Sequence, residues 1–303
     1  KSLVLINSED QRYRMLETVR EYALEHLKKE HEEELTRNRH LDFYVAMAEQ
    51  AEPKLFGKEQ GLWMKKLGDE QENIITANAW CKDAESRTEQ RFRLLGGTRY
   101  YWTYAGLAKL GFKIYSEALA GKPDDNNTLA QGLTHDGASI YGDMLRDPAT
   151  PEHIEKSIAI FRAHRDDIRL AMALSRKAWW QTRQGNHAQA IEIYNEALSI
   201  GRRTGDKRPI SSALNNMAEL YRLDEEYEKA APLYEEAVGI DREREDSTGV
   251  VLGLGNLVRN ELMRDNLDQA RSQLAEAAQL ADESHLIDYG QNTIEASAIL
   301  RFA

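Results

Sequence analysis

The sequence predicts an all-α protein, a stack of helix hairpins with a repeat of about 40 residues, preceded by a short N-terminal β-hairpin. Three observations carry this. The 303 residues include only 19 Gly and 6 Pro, while the good helix formers abound. Apolar residues recur at helical spacing almost throughout. And Ala190, Ala230 and Ala270 fall 40 apart, a spacing that four other columns share.

The opening differs from the rest. Residues 2–7 (SLVLIN) form an apolar β-prone run, residues 8–11 a polar turn, and residues 12–16 (RYRML) alternate with period two, which together read as a hairpin. From Glu17 the period becomes helical, with Val19, Tyr22, Ala23 and Leu27 on one face. Two strands alone are marginal in water, so the hairpin is expected to pack on that helix or on another neighbour. Leu35, Leu41, Tyr44, Ala48 and Ala51 then mark a helix that Pro53 ends, with Gly57 and Gly61 expected in the following loop. Trp63, Leu67, Ile74, Ile75 and Trp80 mark a further stretch, broken near Gly68, and the charged residues 82–89 form a boundary.

From about residue 90 the chain repeats itself. Besides the three alanines, the interval of 40 relates Leu174, Leu214 and Leu254; Ala178, Ala218 and Val258; Tyr194, Tyr234 and Leu274; and Ala197, Ala237 and Ala277. Ala138, Ile154 and Ser157 extend the register upstream. Polar links at residues 184–186, 224–226 and 264–266 divide each unit into two helices. Helix axes approach to about 8–10 Å only where contact residues are small, which is what the alanine columns supply.

Ala178, Ala190, Tyr194 and Ala197, and again Ala218, Ala230, Tyr234 and Ala237, resemble the tetratricopeptide (TPR) pattern, stretched from its usual length, with Arg202 and Arg242 where a terminal Pro is common. The resemblance implies a right-handed superhelix. A second one covers the front: residues 1–27 (KSLVLINSEDQRYRMLETVREYALEHL), 37–53 (RNRHLDFYVAMAEQAEP) and 63–80 (WMKKLGDEQENIITANAW) are similar to the segment after the nucleotide-binding core of bacterial STAND-class signalling ATPases, multidomain transcriptional regulators. It implies a winged-helix remnant at 1–31, a helical linker at 32–86 and TPR-like repeats at 87–303. A chain that opens at Lys1 is expected to be a piece of a longer one.

The acidic balance of −11 argues against a broad nucleic-acid surface. DNA binding through Arg12 and Arg14 of the hairpin is not expected either. No run is long and apolar enough to span a membrane. The single Cys81 excludes a disulfide framework and fits a cytoplasmic setting. No Walker motif is present: Gly106 and Gly111 are followed by Phe112 rather than Lys, and Gly253-Leu254-Gly255 falls inside a repeat helix. His26 and His31 lack zincin spacing, His164 with Asp166 and Asp167 sits at a repeat junction, and residues 241–246 lack the glycine of a calcium loop. No cofactor, metal site or catalytic constellation is therefore expected. Asn126, Asn127 and Thr128 read as a helix N-cap cluster, and Tyr100, Tyr101, Trp102 and Tyr104 as core before ligand platform.

One stripe remains. At ~100° per residue Arg176 lies about 200° around the helix from Leu174, with Trp179 and Arg183 beside it. Steps of 40 lead to Asn216, Glu219 and Leu223, then to Asn256, Arg259 and Met263. The TPR resemblance implies that this stripe lines the concave groove, so Arg176, Trp179, Asn216, Asn256 and Arg259 are the candidate site. The alternative is ordinary solvated surface, with Asn serving bonds between repeats. The expected function is a non-enzymatic sensor of a STAND-type regulator, binding a protein or peptide and controlling an ATPase portion of the same polypeptide. A small-molecule inducer in a closed pocket of the same superhelix is the alternative.

Overall fold

The computed structural model describes residues 4–6, 13–82, 84–120 and 127–283. The 8–11 turn, Arg12, Asn126 and residues 284–303 of the expected repeat region lie outside them.

Val4–Ile6 (β1) and Tyr13–Met15 (β2) pair antiparallel, with Leu5 opposite Arg14. Everything else of regular structure among the described residues is helical. Helix α1 (Glu17–Lys29) buries no residue, and Tyr22, expected on its packed face, is 68% exposed. Leu35, likewise expected to be packed, is exposed in α2 (Glu33–Ala51), because α1 barely touches that helix.

A 3-10 turn at Glu52–Lys54 leads through a loop to α3 (Gln60–Asp69) and α4 (Gln71–Trp80). Gly61 is thus helical rather than in the loop, and the break falls at Glu70 instead of Gly68. There the Glu70 carboxylate accepts from the Tyr44 hydroxyl at 2.7 Å and from the Asn73 amide at 2.6 Å, which fixes the corner. Three uneven helices follow, α5 (Thr88–Thr98), α6 (Tyr101–Tyr104) and α7 (Ala108–Leu119).

Four hairpins complete the stack: α8 (Leu129–Leu145) with α9 (Thr150–Ala163), α10 (Asp167–Arg183) with α11 (His187–Thr204), α12 (Lys207–Leu223) with α13 (Tyr227–Glu243), and α14 (Ser247–Met263) with α15 (Leu267–Glu283). Leu174, Leu214, Leu254, Ala178, Ala218, Val258, Ala190, Ala230, Ala270, Tyr194, Tyr234, Ala197, Ala237 and Ala277 are all buried, and Leu274 is packed against the core. Thr98 and Ala138 continue one column upstream, both fully buried.

The joints obey a finer rule than the sequence shows. Arg165, Gly185, Gly205, Glu225, Glu245 and Asp265 take left-handed backbone, one every 20 residues. After five of the six preceding helices, an amide reaches five residues back, as from Glu226 to Tyr221 O at 2.8 Å, ending the helix in a Schellman turn. Asp166, Asp206 and Asp246 cap α10, α12 and α14 by accepting the amides of Arg169, Arg208 and Gly249. Thr128 caps α8 in the same way, accepting from Gln131 N.

Candidate functional site: a chamber on the inner face

The first helices of successive hairpins place residues 136, 176, 216 and 256 in one column. The row therefore begins a step earlier than predicted, at Asp136, whose Oδ1 accepts from Arg176 Nη2 at 2.8 Å. Asn216 Nδ2 donates to Ser175 Oγ at 3.3 Å, Asn256 Nδ2 to Asn215 Oδ1 at 2.9 Å, and Arg259 donates to Asn256 Oδ1. All five predicted residues are half-buried; Arg176, Asn216 and Asn256 are bonded from helix to helix, and Arg259 within α14. Arg176 and Asn216 line a cavity of ≈ 260 Å³; Asn256, half-buried Trp179 and Arg259 do not.

The opposite wall comes from a part of the chain no register links to the repeats. Phe56, Tyr100 and Tyr104 face Met172, Arg176, Arg208 and Asn215 across that cavity. Of the aromatic set, Tyr101 and Trp102 are core, whereas Tyr100 and Tyr104 are half-buried at the chamber. Segment 52–60 crosses to the third regular hairpin after α9: Thr248 Oγ1 donates to Gln60 Oε1, and Gly57, at φ +82°, lies so near Arg244 that a Cβ there would be 3.0 Å from its carbonyl oxygen. A second cavity of ≈ 270 Å³ adjoins, lined by Glu52, Arg99, Arg169 and again Phe56, Tyr100, Met172 and Arg208.

Buried charge knits the two walls together. Glu52 accepts from Arg99 at 2.7 Å and from Arg169 at 3.3 Å, while Asp136 accepts from Arg99 at 3.2 Å and from Arg176. Burial alone would raise the Glu52 carboxyl, but the Arg99 and Arg169 charges outweigh it and hold it below the ordinary range. At the far end Asp241 accepts from Ser211 at 2.6 Å and from Arg244 at 2.6 Å. Burial, with the Asp246 charge adding, pushes Asp241 up to about 6.

Other candidates disperse. Asp166 caps α10, Asp167 takes Arg203, and His164 meets the Asn127 carbonyl, so these three do not converge. His135 and His153 approach Nδ1 to Nδ1 at 3.0 Å, and burial lowers the pKa of His153. No group of three or more His, Cys, Asp or Glu suited to a metal occurs among the described residues. Gly253 and Gly255 are inside α14, Cys81 is buried, and no helix among the described residues is long and apolar enough to cross a membrane. Sequence reasoning missed Asp136, although its register pointed to it, and missed Phe56, Arg99 and Arg208, for which no periodic signal exists.

Two family models, each described as tetratricopeptide repeat, match residues 173–208 and 209–283. No curated protein matches the sequence. Among solved structures, NprR in complex with its cognate peptide NprX is similar at 12% identity and a TM-score of 0.66, over 94% of this chain and 78% of its own. A Signal Transduction ATPase with Numerous Domains (STAND) protein with a tetratricopeptide repeat sensor, from Pyrococcus horikoshii, is similar at 14% identity and a TM-score of 0.53 over 98% of this chain. This chain spans 47% of that protein's length. Residues 173–283 are therefore tetratricopeptide repeats, and beyond its short strand pair the chain has the helical, superhelical repeat fold of a TPR-type interaction module.

Proposed function

We propose that this chain is the sensor of a STAND-type transcriptional regulator in the cytoplasm. Its inner face binds a protein or peptide, and occupancy controls an ATPase portion of the same polypeptide. In this reading residues 1–31 are a winged-helix remnant, 32–86 a linker and 87–303 the repeats. The chain itself is non-enzymatic and contacts no nucleic acid. The observation that carries the proposal is the row Arg176, Asn216 and Asn256, with Asn215 between, beside the chamber. An extended peptide leaves its amides and carbonyls unpaired; Asn both donates and accepts, and Arg presents a fork to a carboxylate. The peptide in the NprR structure is a precedent for a ligand on this fold. With each bond worth about 0.5–1.5 kcal/mol, the double change Asn216→Ala and Asn256→Ala should weaken a partner recovered by pull-down about ten- to a hundredfold. Calorimetry checks this; unchanged affinity in a folded variant refutes it.

One observation favours the second reading, a small-molecule inducer: segment 52–60 closes over the inner face and leaves cavities of ≈ 260 and ≈ 270 Å³. Mass spectrometry of small molecules released from the purified chain tests it.

A further inference from the structure

A cavity of ≈ 410 Å³ lies between α7, α8 and α9 and shares no lining residue with the inner-face chamber. That volume falls within the range of small-ligand pockets, which begins at about 300 Å³. Three helices supply its walls: Phe112 and Leu119 from α7, Gln131 and His135 from α8, His153 and Lys156 from α9.

The wall from α8 carries an unanswered polar group. Gln131 is 2% exposed, and its side-chain oxygen has no hydrogen-bond partner. A buried acceptor left in this way costs about 1–3 kcal/mol, which an arriving donor recovers. The terminal torsion of Gln is soft, so the amide turns its oxygen toward a donor that enters the cavity at small cost.

The other polar groups answer one another. His135 and His153 face each other through Nδ1 at 3.0 Å, a distance with room for one proton, given by one ring and accepted by the other. Burial holds His153 below the ordinary imidazole range, so its ring is uncharged at neutral pH. The Lys156 ammonium pairs with the Glu152 carboxylate at 2.8 Å, and Asp147 accepts the Ala149 amide at 2.9 Å. The lining therefore asks a ligand for a donor and for apolar surface, and for no ion. Its rings favour a flat body: Phe112 borders the cavity beside the two imidazoles, which tilt by only 37°.

We propose that the α7–α9 cavity is a second ligand site, taking a small neutral aromatic molecule with one N–H or O–H donor, which bonds to the Gln131 side-chain oxygen. The site is independent of the inner-face reading above. Its selectivity comes from the buried amide: an isostere without the donor fills the same space and leaves the oxygen unpaired.

The test uses the full chain with indole and benzothiophene, two bicycles of similar shape of which only indole has an N–H. In saturation-transfer NMR titrations, wild type should bind indole at least about threefold more tightly than benzothiophene. Gln131→Met keeps the volume and removes the acceptor, so it should erase or reverse that preference. With no orphan left to bury, the same variant should melt about 2 °C or more above wild type. Asn216→Ala with Asn256→Ala should leave indole binding unchanged. No saturation of indole, equal affinity for the two bicycles in wild type, or a preference that survives Gln131→Met overturns the proposal. So does a lower Tm in the folded Gln131→Met variant, which would show the oxygen already satisfied by water, or a loss of indole binding on the Asn changes, which would put the ligand on the inner face. If circular dichroism shows Gln131→Met unfolded, Ser116→Phe, which fills the cavity from α7, takes its place and should abolish binding of indole; retained binding overturns the proposal.

Discussion

The front of the molecule, α2 to α7, and the hairpins from α10 to α15 solve the same packing problem in different ways. In the hairpins the close approaches fall on alanines at fixed intervals, and each new pair repeats the last. The front has no such interval, and glycine there lets backbones meet: a Cβ on Gly97 would lie 2.5 Å from the Ala48 backbone, whereas Gly201, Gly249 and Gly253 in the hairpins meet side chains first. Large polar-tipped rings fill the gaps there, Tyr115 donating to the Leu95 carbonyl and Tyr141 to that of Arg99. A repeat spreads its stability over equivalent interfaces, whereas the front concentrates it in a few groups with no substitute.

The largest effect should therefore come from Arg99, which bridges Glu52 and Asp136 in the interior. Arg99→Leu takes from Glu52 and Asp136 the partner they share, leaving each with one guanidinium, Arg169 and Arg176, and should cost about 3–5 kcal/mol in chemical denaturation. A loss below about 1 kcal/mol would mean that the front is as redundant as the repeats. Next, Ala230→Leu overfills a fully buried column position and should cost about 1–3 kcal/mol. Glu228→Leu, two residues away and pointing outward to Arg264, should cost little. Equal shifts in Tm would show that the column does not govern packing.

Smaller, and opposite in sign, is the effect expected at a joint. Exposed Glu225 holds φ +61°, a conformation that strains any residue with a Cβ, so Glu225→Gly should stabilise by up to about 1 kcal/mol. A loss of stability there would show that the Glu side chain contributes more than the backbone strain costs.

The last concerns pH. Asp241 has a folded-state pKa of about 6, raised above the ordinary 3.8, so the native state holds the proton more tightly than the unfolded chain. Its contribution is present at low pH and is lost as pH rises from about 4 to about 6. Asp241→Asn cannot ionise, so its stability relative to wild type should rise between about pH 4 and about pH 6. A constant difference would place the Asp241 titration outside that window.

The contrast also explains what the sequence made legible. The columns at 178, 190, 194 and 197 could be read because each choice is made again 40 residues later. Three joints could be read as polar links, at 184–186, 224–226 and 264–266, but their backbone could not, since Arg165, Glu225, Glu245 and Asp265 stand where glycine would have signalled the left-handed conformation. One wall of the chamber shares that legibility: Arg176 and Asn216 were found through their register. The other wall was hidden, because Phe56 meets Arg208 through a chain crossing that no local pattern encodes. Tyr100 and Tyr104 fell on the wrong side of a true generalisation: aromatics at helical spacing are core more often than not, and Tyr101 and Trp102 are.

The Gln60–Thr248 contact joins positions 188 residues apart. An untethered superhelix of hairpins is a spring, its compliance adding up joint by joint. Glu52 with Arg169 and Phe56 with Arg208 tie the same segment to the hairpins. Together these ties turn the spring into a hoop, so that a pull on α14 is shared between the 52–60 segment and the joints.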